Sequence, residues 1–156
     1  MASASGLGLT ELARLGFSDL AGTVAKLDKL VSLVGDPARA ALAPLSQAAN
    51  PDQALNALIE FAEIDKSSVK SLLKNADSAK RVCLTFGASS AMVDLVRRQP
   101  SMLSAFDKAE SKLPNPEELT KRFQAAIKTC AAPVATDKAW PAIRLVYRKE
   151  LLRLSA

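Results

Sequence analysis

The chain has 156 residues, 49% apolar and 24% charged, with a formal net charge of +5. That length suits one domain able to bury a real core, and the apolar share points to a soluble globular protein. There is no histidine at all, which removes the usual general base for a serine or cysteine nucleophile and the commonest metal ligand.

Five Phe, one Trp and one Tyr are the only aromatics, so Ala and Leu must supply most of the core. Such a core suits close helix packing better than a sandwich of strands. The opening "MASASGLGL" carries no basic residue before Arg14 and no long apolar run. It reads as neither a secretory signal nor a membrane span, and a cytoplasmic protein is expected.

Asp19 is placed to cap the helix "LAGTVAKLDKLVSLV". Along it Leu20, Val24, Leu27, Val31 and Val34 recur at helical spacing on one face. The next helix is expected to start at "GDP", with Asp36 as cap and Pro37 in its first turn. "NPDQALNALIEFAE" repeats the device with Asn50 and Pro51, and Gln53 stands where it completes a capping box. Pro44 and Pro141 fit helix starts better than helix interiors.

"SSVKSLLKN", "SAKRVCLTF", "SSAMVDLVRR" and "SMLSAF" follow as short helical stretches. Gly87-Ala88-Ser89-Ser90-Ala91 is one residue short of the Gly-x-Ser-x-Gly elbow of serine hydrolases. With no histidine to activate Ser89, the expected roles are local. Gly87 supplies a left-handed residue after one helix, and Ser89 or Ser90 caps the next.

Asn115 and Pro116 open another helix, "NPEELTKRFQAAI", with Glu117 and Glu118 in its first turn. The three Asx-Pro starts lie 14 and 65 residues apart, which matches no solenoid period. "AAPVATDK" (131–138) is expected to be a loop before the last helix. That helix carries Trp140, Ile143, Tyr147, Leu151 and Leu154 as an apolar stripe expected to pack in the core. Arg144, Arg148, Lys149 and Arg153 against Glu150 give the segment +3 of the chain's +5. Strand-like alternation is almost absent. The predicted fold is all-α: an irregular bundle of eight to ten short helices ending in a long amphipathic basic helix, in a single unit over 1–156.

Chemistry is thinly represented. No two aspartates stand as Asp-x-Asp, and no phosphate-binding glycine loop is present. Cys83 and Cys130 are far apart and form no CxxC pair, which argues against structural zinc. The expectation is therefore no catalytic, cofactor or metal residue in this chain. Arg97 and Arg98 form a small basic cluster and, with Arg144, Tyr147 and Arg148, are the candidate packing or partner contacts. Nucleic-acid binding has little support, because Tyr147 lies on the apolar stripe rather than beside a basic groove.

Four stretches taken together resemble the N-terminal part of the bacterial bifunctional glutamine synthetase adenylyltransferase and adenylyl-removing enzymes. They are "LARLGFSD" at 12–19, "ANPDQALNALIEFAE" at 49–63, "FGASSAMVDLVRRQPSML" at 86–103 and "AWPAIRLVYRKELLRL" at 139–154. Each alone is a capped helix; their order and spacing carry the resemblance over nearly the whole chain. It implies a two-headed parent that transfers AMP from ATP to glutamine synthetase and removes it by phosphorolysis. ATP and magnesium are its implied cofactors, and a PII-type signalling protein an implied partner besides glutamine synthetase.

In that family each head uses a Gly-Ser turn and an Asp-x-Asp strand to hold magnesium on the phosphates. Those elements follow the helix that "YRKELLRL" resembles. The resemblance therefore implies a non-catalytic helical piece of a larger nucleotidyltransferase, whose last helix packs on the remainder of the parent. The alternative is a free-standing helical module that binds a protein or nucleic acid through its basic C-terminal helix.

Overall fold

The computed structural model describes residues 8–107, 114–128 and 136–155. Six of its helices begin where a short polar side chain takes up a free amide of the first turn. Ten α-helices and one 3-10 segment are described, and no strand occurs among the described residues. In chain order they are α1 (Leu9–Arg14), α2 (Leu20–Val34), α3 (Pro37–Ala40), α4 (Leu42–Ser46) and α5 (Pro51–Ile64). Then come α6 (Lys66–Lys74), α7 (Ala76–Ala88), α8 (Ser90–Arg98), the 3-10 segment Pro100–Phe106, α9 (Pro116–Lys128) and α10 (Thr136–Ser155). This is the predicted all-α architecture, with the long basic helix at its end.

Of the four Asx caps predicted, three form. Asp19 accepts from the Gly22 amide at 3.0 Å and Asn50 from the Gln53 amide at 2.9 Å. Asn115 accepts from the Glu118 amide at 2.8 Å, and the Glu118 carboxylate accepts from the Asn115 amide at 3.2 Å, a complete capping box. Asp36 is the exception: its backbone is already helical and its side chain makes no cap bond. Gln53 also departs from expectation, because its amide crosses to the Phe86 carbonyl instead of returning to Asn50. That carbonyl is in the last turn of α7 and has no acceptor role within its own helix. Pro44 lies in the first turn of α4, but Pro141 sits in the second turn of α10.

Two compact units emerge, one holding α1 to α8 with the 3-10 segment, the other holding α9 and α10. The sequence reading has a single unit in their place. Residues 131–135 of the expected loop lie outside the described residues, as does Cys130, while 136–138 form the first turn of α10.

In the first unit α5 runs through the middle, packed on α2 and α7. Phe61 of α5, Phe86 of α7 and Phe106 are fully buried, with ring centroids 5.3 Å and 5.5 Å apart in succession. Full burial of such a side chain stabilises the fold by about 1.5–3 kcal/mol relative to exposure. Helix α2 is rotated from its predicted register and buries Thr23, Leu27, Leu30 and Val34. A threonine can sit there because its hydroxyl donates to Asp52 at 3.1 Å, so burial leaves no polar group unsatisfied.

Gly87 is a correction of a different kind. It lies inside α7, and the positive-φ glycines among the described residues are Gly16 and Gly35. A Cβ at Gly87 would stand 2.6 Å from the Ala48 Cβ and 3.0 Å from the Asn50 carbonyl oxygen. The glycine is there to let α7 approach the start of α5, not to turn the chain.

In the second unit the side chain of Glu150 is buried between α9 and α10. It accepts from Arg122 at 2.6 Å and Arg153 at 2.9 Å. Leu152 is fully buried beside it in the sequence. The other described side chains of α10 are partly or fully exposed, and α9 has no buried residue.

Candidate functional site

Chemistry-bearing side chains gather most densely between α5 and α8. A groove of about 320 Å3 is lined there by polar residues including Asn50, Asp52, Asn56, Glu60, Asp94 and Arg97. Arg97 dominates it. Its Nε and Nη2 donate to the two oxygens of Glu60, the second at 2.9 Å, and Nη1 donates to Asp94. This fork geometry fits a carboxylate with two parallel bonds. The bonded guanidinium holds the Glu60 carboxyl below the usual glutamate range and in turn raises the pKa of Arg97.

The groove's acids are therefore committed. Asp52 accepts from the Ser18 amide at 2.8 Å and from Thr23, fixing α5 to the loop before α2 and to α2 itself. Glu60 and Asp94 share Arg97. Their donor set does not fit magnesium on a nucleotide, since each carboxylate already serves a protein donor. No group of three or more His, Cys, Asp or Glu side chains suited to a metal ion occurs among the described residues.

A larger cavity of about 510 Å3 is lined by Asp65, Ser67, Ser68, Ser71, Ser101, Asp107 and neighbouring apolar residues. Its most polar member is also engaged. Asp65 caps α6, accepting from the amides of Ser67 and Ser68 at 3.0 and 3.1 Å and from both hydroxyls. The Ser68 and Ser67 hydroxyls and amides lower its pKa to about 2. It is an anion at any physiological pH, unsuited to general-base work near neutrality.

The nucleophile candidates are equally committed. Ser89 is the N-cap of α8, its hydroxyl oxygen accepting from the Met92 amide at 3.4 Å, as the sequence predicts. Cys83 is fully buried, and desolvation pushes its thiol up to about 12, so it carries almost no thiolate.

The five contact candidates fall in two places. Both arginines of α8 are exposed, and Arg97 is held in the α5–α8 groove by Glu60 and Asp94. Arg144, Tyr147 and Arg148 lie on α10, in the other unit. Tyr147 is 59% exposed, Trp140 56% and Leu154 53%, so three members of the stripe expected to pack in the core face outward, while Ile143 and Leu151 are half-buried. The buried side of α10 is instead marked by Glu150 and Leu152. Sequence periodicity misplaces it because an ion-paired glutamate does not register as a core residue. The involvement of Glu60 with Arg97 has no local signal either, for the two are 37 residues apart.

No described helix is long and apolar enough to cross a membrane. No family model matches the chain, and no solved structure matches it. Curated proteins do. A bifunctional glutamine synthetase adenylyltransferase/adenylyl-removing enzyme of Leifsonia xyli subsp. xyli is 32% identical over 152 residues, which is 96% of this chain. One of the same description from Bifidobacterium longum is 28% identical over 160 residues, or 94% of this chain. The chain spans about 15% of the length of each. It is thus homologous to one stretch of the much longer bifunctional glutamine synthetase adenylyltransferase/adenylyl-removing enzymes.

Proposed function

We propose that this chain serves as a non-catalytic, N-terminal helical segment of an enzyme that adenylylates and deadenylylates glutamine synthetase in the cytoplasm. The observation that carries the reading is the 32% identity with the Leifsonia enzyme along 96% of this chain. The engaged state of the groove carboxylates, Ser89 and Cys83 supports a scaffolding role. In this reading ATP and magnesium are held elsewhere in the complete enzyme. Glutamine synthetase and a PII-type signalling protein are its partners, and the remainder of the enzyme is the immediate neighbour of this segment. Arg98, Arg144, Tyr147 and Arg148 are the contact residues, the first three exposed and Arg148 half-buried beside them, whereas the exposed Arg97 is engaged by Glu60 and Asp94.

A chimaera tests this: the matching stretch of the Leifsonia enzyme is replaced by these 156 residues. Retention of both AMP transfer and AMP removal is the expected result. A folded chimaera inactive in both directions overturns the proposal.

A second reading, a helical module that binds a protein through α10, draws on the exposed Trp140 and Tyr147 beside two arginines. Tight binding of an unrelated protein by the isolated chain, with no activity in the chimaera, favours it.

A further inference from the structure

The outer face of α10 has a composition found on no other described helix. Trp140, Tyr147 and Leu154 are 56%, 59% and 53% exposed. Spaced by seven residues, they lie on one side of the helix over about 21 Å. They include the chain's single Trp and single Tyr. Arg144 and Arg148 follow Trp140 at successive four-residue steps and flank the stripe on one side. Trp, Tyr and Arg are the residue types most enriched where binding energy concentrates in protein interfaces, and large apolar side chains at this exposure mark a face that has a cover.

Charge selects the cover. The only acids of α10 are Asp137 and Glu150. Glu150 is buried and held by Arg122 and Arg153, and Asp137 lies beyond the N-terminal end of the stripe. The stripe is therefore bordered by positive charge with no acid within it. Two copies of this face brought together set arginines against arginines, which disfavours self-association. An apolar surface bordered by carboxylates satisfies both the stripe and its flank.

We propose that the outer face of α10 is the docking surface for an acidic amphipathic helix in the remaining chain of the complete enzyme, seated on Trp140, Tyr147 and Leu154 with its carboxylates against Arg144 and Arg148. This rests on the scaffolding role proposed above and adds the chemistry of the contact.

Two experiments test it. In the first, Trp140 fluorescence of the 156-residue chain is titrated with two helical peptides that share a leucine stripe and differ only in glutamate or lysine flanks. The glutamate peptide binds at least about tenfold more tightly at low salt, and Arg144→Glu with Arg148→Glu reverses the preference. Arg144 is exposed and Arg148 half-buried, and an unchanged helical circular dichroism spectrum confirms that the variant folds. Equal binding of the two peptides, or none, overturns the proposal. So does a dimer of the free chain that Tyr147→Ser dissolves.

In the second, Tyr147 of the chimaera is replaced by the photo-crosslinker p-benzoylphenylalanine. Crosslinks are expected on a helix of the same polypeptide outside these 156 residues, within about one turn of Asp or Glu. Crosslinks only to glutamine synthetase or to a second copy overturn the proposal while the chimaera's activity leaves the scaffolding role standing. An inactive chimaera removes that role instead, so the two failures are distinct.

Discussion

Gly87 of α7 faces Ala48 so closely that a Cβ on the glycine would stand 2.6 Å from the alanine Cβ, with the Asn50 carbonyl 3.0 Å away. Backbone on one side leaves little room to yield. Gly87→Ala is expected to destabilise the first unit by about 1–3 kcal/mol, the usual cost of overpacking, although alanine is the better helix former. A chemical denaturation midpoint equal to or above that of the parent chain contradicts this contact.

Tyr147 and Phe86 make a contrasting pair. Phe86→Ala removes a fully buried ring at the centre of the aromatic series and is expected to cost about 3–5 kcal/mol. Tyr147→Ala acts on an exposed side chain, and its effect on stability is expected to stay within about 0.5 kcal/mol. Denaturation of the two variants side by side checks the order. A Tyr147→Ala loss comparable to that of Phe86→Ala places the ring in a core.

Stability responds to acid through Asp65 and Glu60, whose carboxyls are both depressed in the folded state. A depressed folded pKa means that the contribution is complete above the unfolded value and is lost as pH falls through the folded one. For Asp65 that window runs from 3.8 down to about 2. Nuclear magnetic resonance titration should find the Asp65 carboxyl ionised throughout pH 4 to 7. The midpoint difference between the parent chain and Glu60→Gln should be constant near neutrality and shrink once Glu60 protonates. A difference that grows on acidification contradicts the Arg97 pairing.

Cys83 supplies a kinetic check. In a Cys130→Ser background, a thiol reagent is expected to label Cys83 no faster than the chain opens, because the group is buried and its thiol pushed up to about 12. Complete labelling within seconds under native conditions contradicts that burial.

These residues also show where the sequence is readable. Asp19, Asn50 and Asn115 reveal their helix starts because a cap is a contact between residues three apart. The register of α2 is hidden because burial of Thr23 depends on Asp52, 29 residues away. Gly87 looks like a helix stop until Ala48 is seen against it, and Glu150 looks like a solvated charge until Arg122 closes on it. Among the contact candidates, proximity in sequence groups Arg97 with Arg98, yet it is Arg97 that pairs, with Asp94 one turn away and with Glu60 37 residues off. Local chemistry is legible; pairings across dozens of residues are not.

The scaffolding role is tested most directly by incubating the purified chain with adenylylated glutamine synthetase, inorganic phosphate and magnesium, and measuring ADP. A chain that supports chemistry without performing it releases none above the rate seen without protein. Sustained ADP release by this chain, abolished by changing one of its own side chains, contradicts the role.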